Sequence, residues 1–380
     1  MSALSDELAG LDVVITCGSG GVGKTTMSAA LGIGIAVKHD KRVLVLTVDP
    51  AKRLASALGI KGIGLDPVII SRTRLRGAGL AASGEVSAAM LDMKSAWDRM
   101  VERYAPDRKT VQRIFANKFY QRISDAFIGS HEYAAMETLY ELHQAGEYDV
   151  IVVDTPPSRN ALDLLEAPNR LTDYAGARLL SLLSGPSGLG LRAAGLAAGP
   201  LLRMADRLLG SEVLQEVAEF GRELQQLYGG LQQRARQMYR LLRSPQVGFV
   251  VVTTLEPAPF AEAAFFCTKL REFSMPLRGI VVNRALPAAL RDADALSAAR
   301  ALADNGHITA WLSRELGVRV TSENSRHLGE VFCMLNAFAQ RDARQSARLA
   351  RLGQVPTATV PLFTDDPPAL EGIARIASLL

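Results

Sequence analysis

Leu11-Asp-Val-Val-Ile-Thr-Cys17, followed by Gly18-Ser-Gly-Gly-Val-Gly-Lys-Thr-Thr26, reads as a short apolar strand running into a loop of the form G-x-x-x-x-G-K-[ST]. An Ala-rich stretch from about Lys24 to Val37 continues as a helix. Strand, loop and helix in that order are the context a phosphate-binding loop requires. Glycines let backbone N–H groups turn inward around phosphate oxygens, and the helix N-terminus adds partial positive charge. Gly20, Gly21, Val22, Gly23, Lys24, Thr25 and Thr26 are therefore candidate nucleotide-binding residues. Lys24 is placed to reach the β- and γ-phosphates and Thr25 to hold Mg²⁺. The sequence predicts one nucleoside triphosphate site, since the loop is not repeated.

Working outward, further Val/Ile-rich runs occur at Arg42–Val48, Val86–Leu91, Asp149–Asp154, Gly248–Thr253, Arg278–Asn283 and Thr357–Pro361. Their apolarity is continuous rather than alternating, which predicts strands covered on both faces in a parallel sheet with crossover helices. The expected fold is an α/β P-loop NTPase: a mostly parallel central sheet flanked by helices, plus a helical insertion subdomain. Right-handed crossovers collect the loops that follow the strands along one rim, where ligands bind.

Three segments depart from the strand–helix alternation and read as helical: Lys94 to Ala145, Asp173 to Arg243, and Pro287 to Leu352. In the first, Trp97, Met100, Val101 and Tyr104 share a face. The predicted organisation is a nucleotide-binding core in two parts, 1–172 and 244–380, the second including the helical segment 287–352, with 173–243 inserted between them. Within the insertion, Val217, Phe220, Leu224, Leu227, Leu231, Ala235, Met238 and Leu242 form one apolar stripe. Two readings stand: a helix packed on its own core, or a surface for a partner, a hydrophobic client or a membrane. The closing stretch Ala369–Leu380 is amphipathic and is expected to cover the sheet.

Composition narrows the function. The 380 residues carry a net charge of +4 and no dense basic or aromatic–arginine run, so nucleic acid is not an expected partner. Three cysteines, Cys17, Cys267 and Cys333, are far apart and form no C-x-x-C, which argues against a disulfide framework or structural zinc site. The N-terminus lacks signal-peptide features. The most hydrophobic long stretch, Leu179 to Leu202, is interrupted by glycines, Pro186 and Arg192. A cytoplasmic protein is expected.

Three residues at strand ends carry the remaining chemistry. Asp154 closes Tyr148-Asp-Val-Ile-Val-Val-Asp154, where a carboxylate beside a phosphate loop binds Mg²⁺ directly or through water; the plainer role is a turn cap. Asp49 ends Leu44-Val-Leu-Thr-Val-Asp49-Pro50, placed to orient an attacking water or accept its proton, or else to cap the next helix. Asn283 ends Leu277-Arg-Gly-Ile-Val-Val-Asn283, and its amide suits either a purine edge or a turn.

Gly18-x-Gly-Gly-Val-Gly-Lys24-Thr-Thr is similar to the deviant Walker loop of dimeric ATPases of the MinD, ParA and nitrogenase iron-protein kind. With Asp49-Pro-Ala, Asp154-Thr-Pro-Pro-Ser, Val281-Val-Asn283, Glu256-Pro257 and Val360-Pro-Leu-Phe, the chain resembles the ArsA-type ATPases, which include arsenite-pump and tail-anchored-protein targeting ATPases. Within them it looks most like single-site actinobacterial members. The resemblance implies ATP and Mg²⁺ as ligands, Asp49 as the catalytic switch carboxylate beside Lys24, and Thr25 and Asp154 around Mg²⁺. It further implies adenine beside Asn283 and the Pro361-Leu362-Phe363 loop. It also implies nucleotide-sandwich dimers whose closing and opening moves a helical, partly hydrophobic client or partner surface.

The departures carry information. The family's second loop lysine, one residue after the first glycine, is Ser19 here. Loss of a finger-type cation costs roughly 10³–10⁵ in rate, or about 4–7 kcal/mol of barrier. A homodimer is therefore expected to hydrolyse ATP slowly, and a heterodimer with a lysine-bearing paralogue is the favoured assembly, unless Arg159 or another basic residue substitutes. The cysteine spacing does not suggest an arsenite site. The alternatives are a weakly active nucleotide-binding regulatory subunit, and a MinD- or ParA-like positioning ATPase on membrane or DNA.

Overall fold

The computed structural model describes residues 4–48, 53–60, 62–64, 66–81, 83–117, 120, 131–155, 227, 230–231, 233–305, 309–365 and 369–380. Among these residues eight strands form one sheet: β1 (Val13–Cys17), β2 (Arg42–Thr47), β3 (Val68–Ile70), β4 (Glu85–Met90), β5 (Val150–Asp154), β6 (Val247–Thr253), β7 (Leu277–Ala285) and β8 (Thr357–Pro361). Their order is β3-β4-β2-β5-β1-β6-β7-β8. Every pairing is parallel except β3 with β4. The expected fold class is thus present, with β3 as an addition that the sequence reading missed. It is a three-residue edge strand after Pro67, with Ile69 exposed, too short for periodicity to reveal.

The continuous apolar runs are explained by burial on both faces. Val13, Ile15, Cys17, Leu44, Leu46, Ile151, Val153, Phe249 and Val251 point into one cluster. Val14, Val43, Val45, Val150, Val152, Val250 and Val252 point into the other. On the second face lie α1 (Leu4–Leu8), α2 (Lys24–His39), α3 (Arg53–Leu58), α4 (Arg72–Gly77) and the closing α13 (Ala369–Ala377). Leu370, Ile373, Ile376 and Leu380 are buried there, so the apolar side of the closing helix is covered within the chain.

The first face carries α5 (Met93–Tyr104), α6 (Arg108–Ala116), α7 (His131–Ala145), α8 (residues 233–242) and α9 (Pro257–Glu272). Beyond β7 follow α10 (Ala293–Asn305), α11 (Thr309–Leu316) and the 32-residue α12 (Ser322–Gly353). Thr321 caps α12, its hydroxyl accepting from Asn324 N, which fixes where the helix starts.

The described part of the insertion stripe packs inward. Leu227, Leu231, Ala235, Met238 and Leu242 all lie in the cluster on the first sheet face. Gly230 allows the ring of Tyr104 to lie against the backbone, because a Cβ there would meet Tyr104 Cδ1 at 2.7 Å. Glu137, 1% exposed, joins three helices: its Oε1 accepts from Arg234 Nε (3.0 Å) and Tyr104 OH (3.0 Å). For this part of the stripe, packing on the chain's own core is the observed arrangement. Val217, Phe220 and Leu224 lie outside the described residues.

Candidate nucleotide-binding site

The loop after β1 opens at the C-terminal rim, between the neighbours β5 and β6. Gly21 (φ 79°) and Gly23 (φ 95°) adopt the left-handed region that favours glycine. Gly23 leads directly into α2 without a capping side chain, so the first N–H groups of that helix keep their capacity for an anion. Lys24 is 7% exposed and its Nζ donates to the carbonyls of Gly18 (3.0 Å) and Ser19 (2.9 Å). The ammonium is thus held inside the loop, where phosphate oxygens can take over from carbonyls.

Asp154, fully buried at the end of β5, accepts on Oδ2 from Thr25 Oγ1 at 2.7 Å and from Thr47 Oγ1 at 3.0 Å. This brings together the predicted metal-shell pair and adds Thr47, which the sequence reading missed. Its signal was a hydroxyl at the end of a buried strand. Hydroxyl and carboxylate oxygens suit Mg²⁺, which takes one or two protein carboxylates with waters and substrate phosphates. No cluster of three or more His, Cys, Asp or Glu side chains is placed to hold a metal among the described residues.

A second set of hydroxyls supports the loop from below. Thr16 Oγ1 donates to Val153 O (3.1 Å) and lies 2.7 Å from Ser28 Oγ, while Thr155 Oγ1 donates to Thr16 O (2.7 Å). These bonds tie β1, β5 and α2 together beneath Lys24. Ser19, where the resemblance expects lysine, is 7% exposed, and its Oγ has no hydrogen-bond partner among the described residues.

Asn283 lies against the loop itself. Its Nδ2 donates to Val22 O at 2.8 Å and its Oδ1 accepts from Arg284 N at 2.9 Å. A Cβ on Gly23 would stand 2.5 Å from that Nδ2, which is why the loop needs glycine twice over here. In this arrangement the amide braces the phosphate loop, so engaging a base requires it to change partners. The Pro361-Leu362-Phe363 segment sits beside the same strand end: Leu362 N donates to Ala285 O at 2.9 Å. Asp49 and Arg159 lie outside the described residues.

Cys17 and Cys267 are both buried. Burial pushes the Cys17 thiol far up and that of Cys267 to about 11. Glu256, at the N-terminus of α9, is held below the usual carboxylate range, first by its hydrogen bond to the Thr254 side chain and also by the nearby charges of Arg284 and Arg341. Among the described residues, no helix is long and apolar enough to cross a membrane.

A phosphate loop on a mostly parallel sheet, with Lys24, Thr25 and Asp154 gathered beneath it, defines a P-loop nucleotide-binding protein. Residues 11–306 match the ArsA, or anion-transporting, ATPase family, and the chain belongs to it. That family hydrolyses ATP, and membership implies ATP binding. Relatives include the ATPase BagA of Mycobacterium tuberculosis, 23% identical over 360 residues that span 90% of this chain and 87% of that protein. The ATPase GET3 of Malassezia globosa is 32% identical over 155 residues, covering 40% and 41% of the two chains. A putative arsenical pump-driving ATPase of Aquifex aeolicus is 24% identical over 275 residues, covering 71% and 79%.

Proposed function

We propose that this chain is a Mg²⁺-dependent ATPase, a single-site actinobacterial-like member of its family with a deviant phosphate loop. Its nucleotide-driven dimer cycle controls a helical, partly hydrophobic surface that handles a client or partner protein. The observation that carries the reading is the meeting of Lys24, Thr25 and Asp154 under a loop with left-handed Gly21 and Gly23.

In this reading Lys24 leaves the carbonyls of Gly18 and Ser19 for the β- and γ-phosphates. Backbone N–H groups from Gly20 to Thr26 bind phosphate oxygens. Thr25 and Asp154 hold Mg²⁺, which neutralises charge developing on the transferred phosphoryl group. Asp49 serves the attacking water. The base lies beside Asn283 and the Pro361–Phe363 loop. The favoured partner is a lysine-bearing paralogue that supplies the charge missing at Ser19.

Ser19 favours one second reading, a nucleotide-binding regulatory subunit that hydrolyses ATP weakly. Sedimentation of the chain, alone and mixed with a lysine-bearing paralogue, with and without a non-hydrolysable ATP analogue, tests the cycle. Nucleotide-dependent dimers support it. A chain that binds the analogue and stays monomeric in every mixture contradicts it.

A further inference from the structure

Leu362, the middle residue of the proposed base loop, is a large apolar side chain left 49% exposed. Such a residue needs a rigid backing before it can serve as a platform, because a loop that must be ordered on binding loses affinity. The backing comes from the closing helix. The guanidinium of Arg375 lies over the Phe363 ring, 4.2 Å from its centroid. The same guanidinium pairs with Asp365 through Nη1, at 2.9 Å to Oδ1 and 3.1 Å to Oδ2. Leu362 N is held by Ala285 O at 2.9 Å, on the strand that carries Asn283. Phe363 itself packs against the buried cluster of the second sheet face. Arg375 thus grips the chain at two points just after Leu362 while standing on α13, whose own apolar side is buried.

We propose that Arg375 is a positioning residue for base recognition: by clamping Phe363 and Asp365 it fixes Leu362 as a flat apolar rest for the purine ring. The inference rests on the reading of Pro361–Phe363 as the base loop. Arg375 touches neither phosphate nor metal in this account, so its effect falls on the part of the affinity that comes from the base. Exposed cation–π contacts and ion pairs are each modest, and together they set the expected effect at about three- to tenfold. Alanine is a good helix former at this exposed position of α13, so the helix survives the substitution.

The experiment measures equilibrium affinities of the full chain for ATP and for inorganic triphosphate, which occupies the phosphate loop but has no base. Wild type, Arg375→Ala, Arg375→Lys and Asp365→Asn are compared, with thermal unfolding as a fold control. The expected result is an Arg375→Ala protein whose ATP affinity falls about three- to tenfold while its triphosphate affinity stays at the wild-type value. Arg375→Lys recovers part of the loss, and Asp365→Asn lies between. Equal losses for both ligands mean a general structural role and overturn the inference. An unchanged ratio of the two affinities in Arg375→Ala also overturns it, leaving the base loop intact as a reading. Wild type binding triphosphate as tightly as ATP overturns the base loop itself, and the inference with it.

Discussion

Thr25 Oγ1 donates to Asp154 Oδ2 across 2.7 Å, linking the first turn of α2 to the end of β5, two elements 129 residues apart in sequence. Both oxygens are of the kind Mg²⁺ prefers. Asp154→Asn keeps the shape and removes the charge, and Thr25→Val removes the hydroxyl. Each is expected to lower Mg²⁺-dependent turnover by about 10²–10³, the cost of losing one preorganised electrostatic partner. Titrating Mg²⁺ at fixed ATP checks this: the variants should need more metal, and wild-type metal dependence in both would remove these residues from the site.

Asn283 braces Val22 and Arg284 rather than standing free for a ligand. Asn283→Ala strands a carbonyl and an N–H, so it should destabilise the chain by about 1–3 kcal/mol. Gly23→Ala should weaken every nucleotide, both through its left-handed φ and through collision with the Asn283 amide. In the double variant the collision disappears and the strained φ remains. A double-mutant cycle on urea unfolding therefore predicts a non-additive pair, with a coupling on the order of 0.5–3 kcal/mol. Strict additivity would contradict the contact.

Ser19 stands where the resemblance expects a lysine. If the chain's slow step is set by that missing charge, Ser19→Lys should speed hydrolysis by homodimers at least about tenfold, against the roughly 10³–10⁵ that a finger-type cation can supply. Rates measured over a range of protein concentrations give the readout, since a charge reaching across a dimer acts only when two chains meet. A faster rate independent of concentration would place the new lysine's effect in cis.

Much of the core was legible because parallel strands buried on both faces are written as unbroken apolar runs. All seven strands expected from such runs are present. The phosphate loop was legible because its glycines are a local requirement. What the sequence hid were contacts between distant positions: Asn283 with Val22, Thr47 with Asp154, Thr16 with Ser28. A threonine hydroxyl reads the same whether it faces solvent or a carboxylate. β3 was hidden for another reason: three residues are too few to show a period. The stripe through Leu231 and Met238 was ambiguous because an apolar helix face has one appearance for a core and for a client, and only packing separates them.

Far from the loop, Arg42 and Asp149 join the N-terminal ends of β2 and β5, with Nη2 to Oδ1 at 2.8 Å and Arg42 N to Oδ2 at 2.8 Å. The Arg42 side-chain hydrogen bond, then its backbone N–H, holds the Asp149 carboxyl below its usual range. A lowered folded-state value means stability that is present above the ordinary aspartate range, near about 3.9, and lost as pH falls through the folded value. Asp149→Asn should therefore be less stable than wild type at neutral pH, with the gap closing in acid. Urea unfolding across that range reads it out; a gap that does not change with pH would contradict the assigned role of the pair.

The central claim is tested most directly by steady-state hydrolysis of MgATP by the purified chain, with Lys24→Ala as the blank. Mixed with a lysine-bearing paralogue, the wild-type chain should release phosphate at a rate clearly above the same mixture made with Lys24→Ala, and more slowly when alone. Identical rates for wild type and Lys24→Ala under both conditions would contradict the account, because the lysine held inside the loop would then do nothing to a nucleotide.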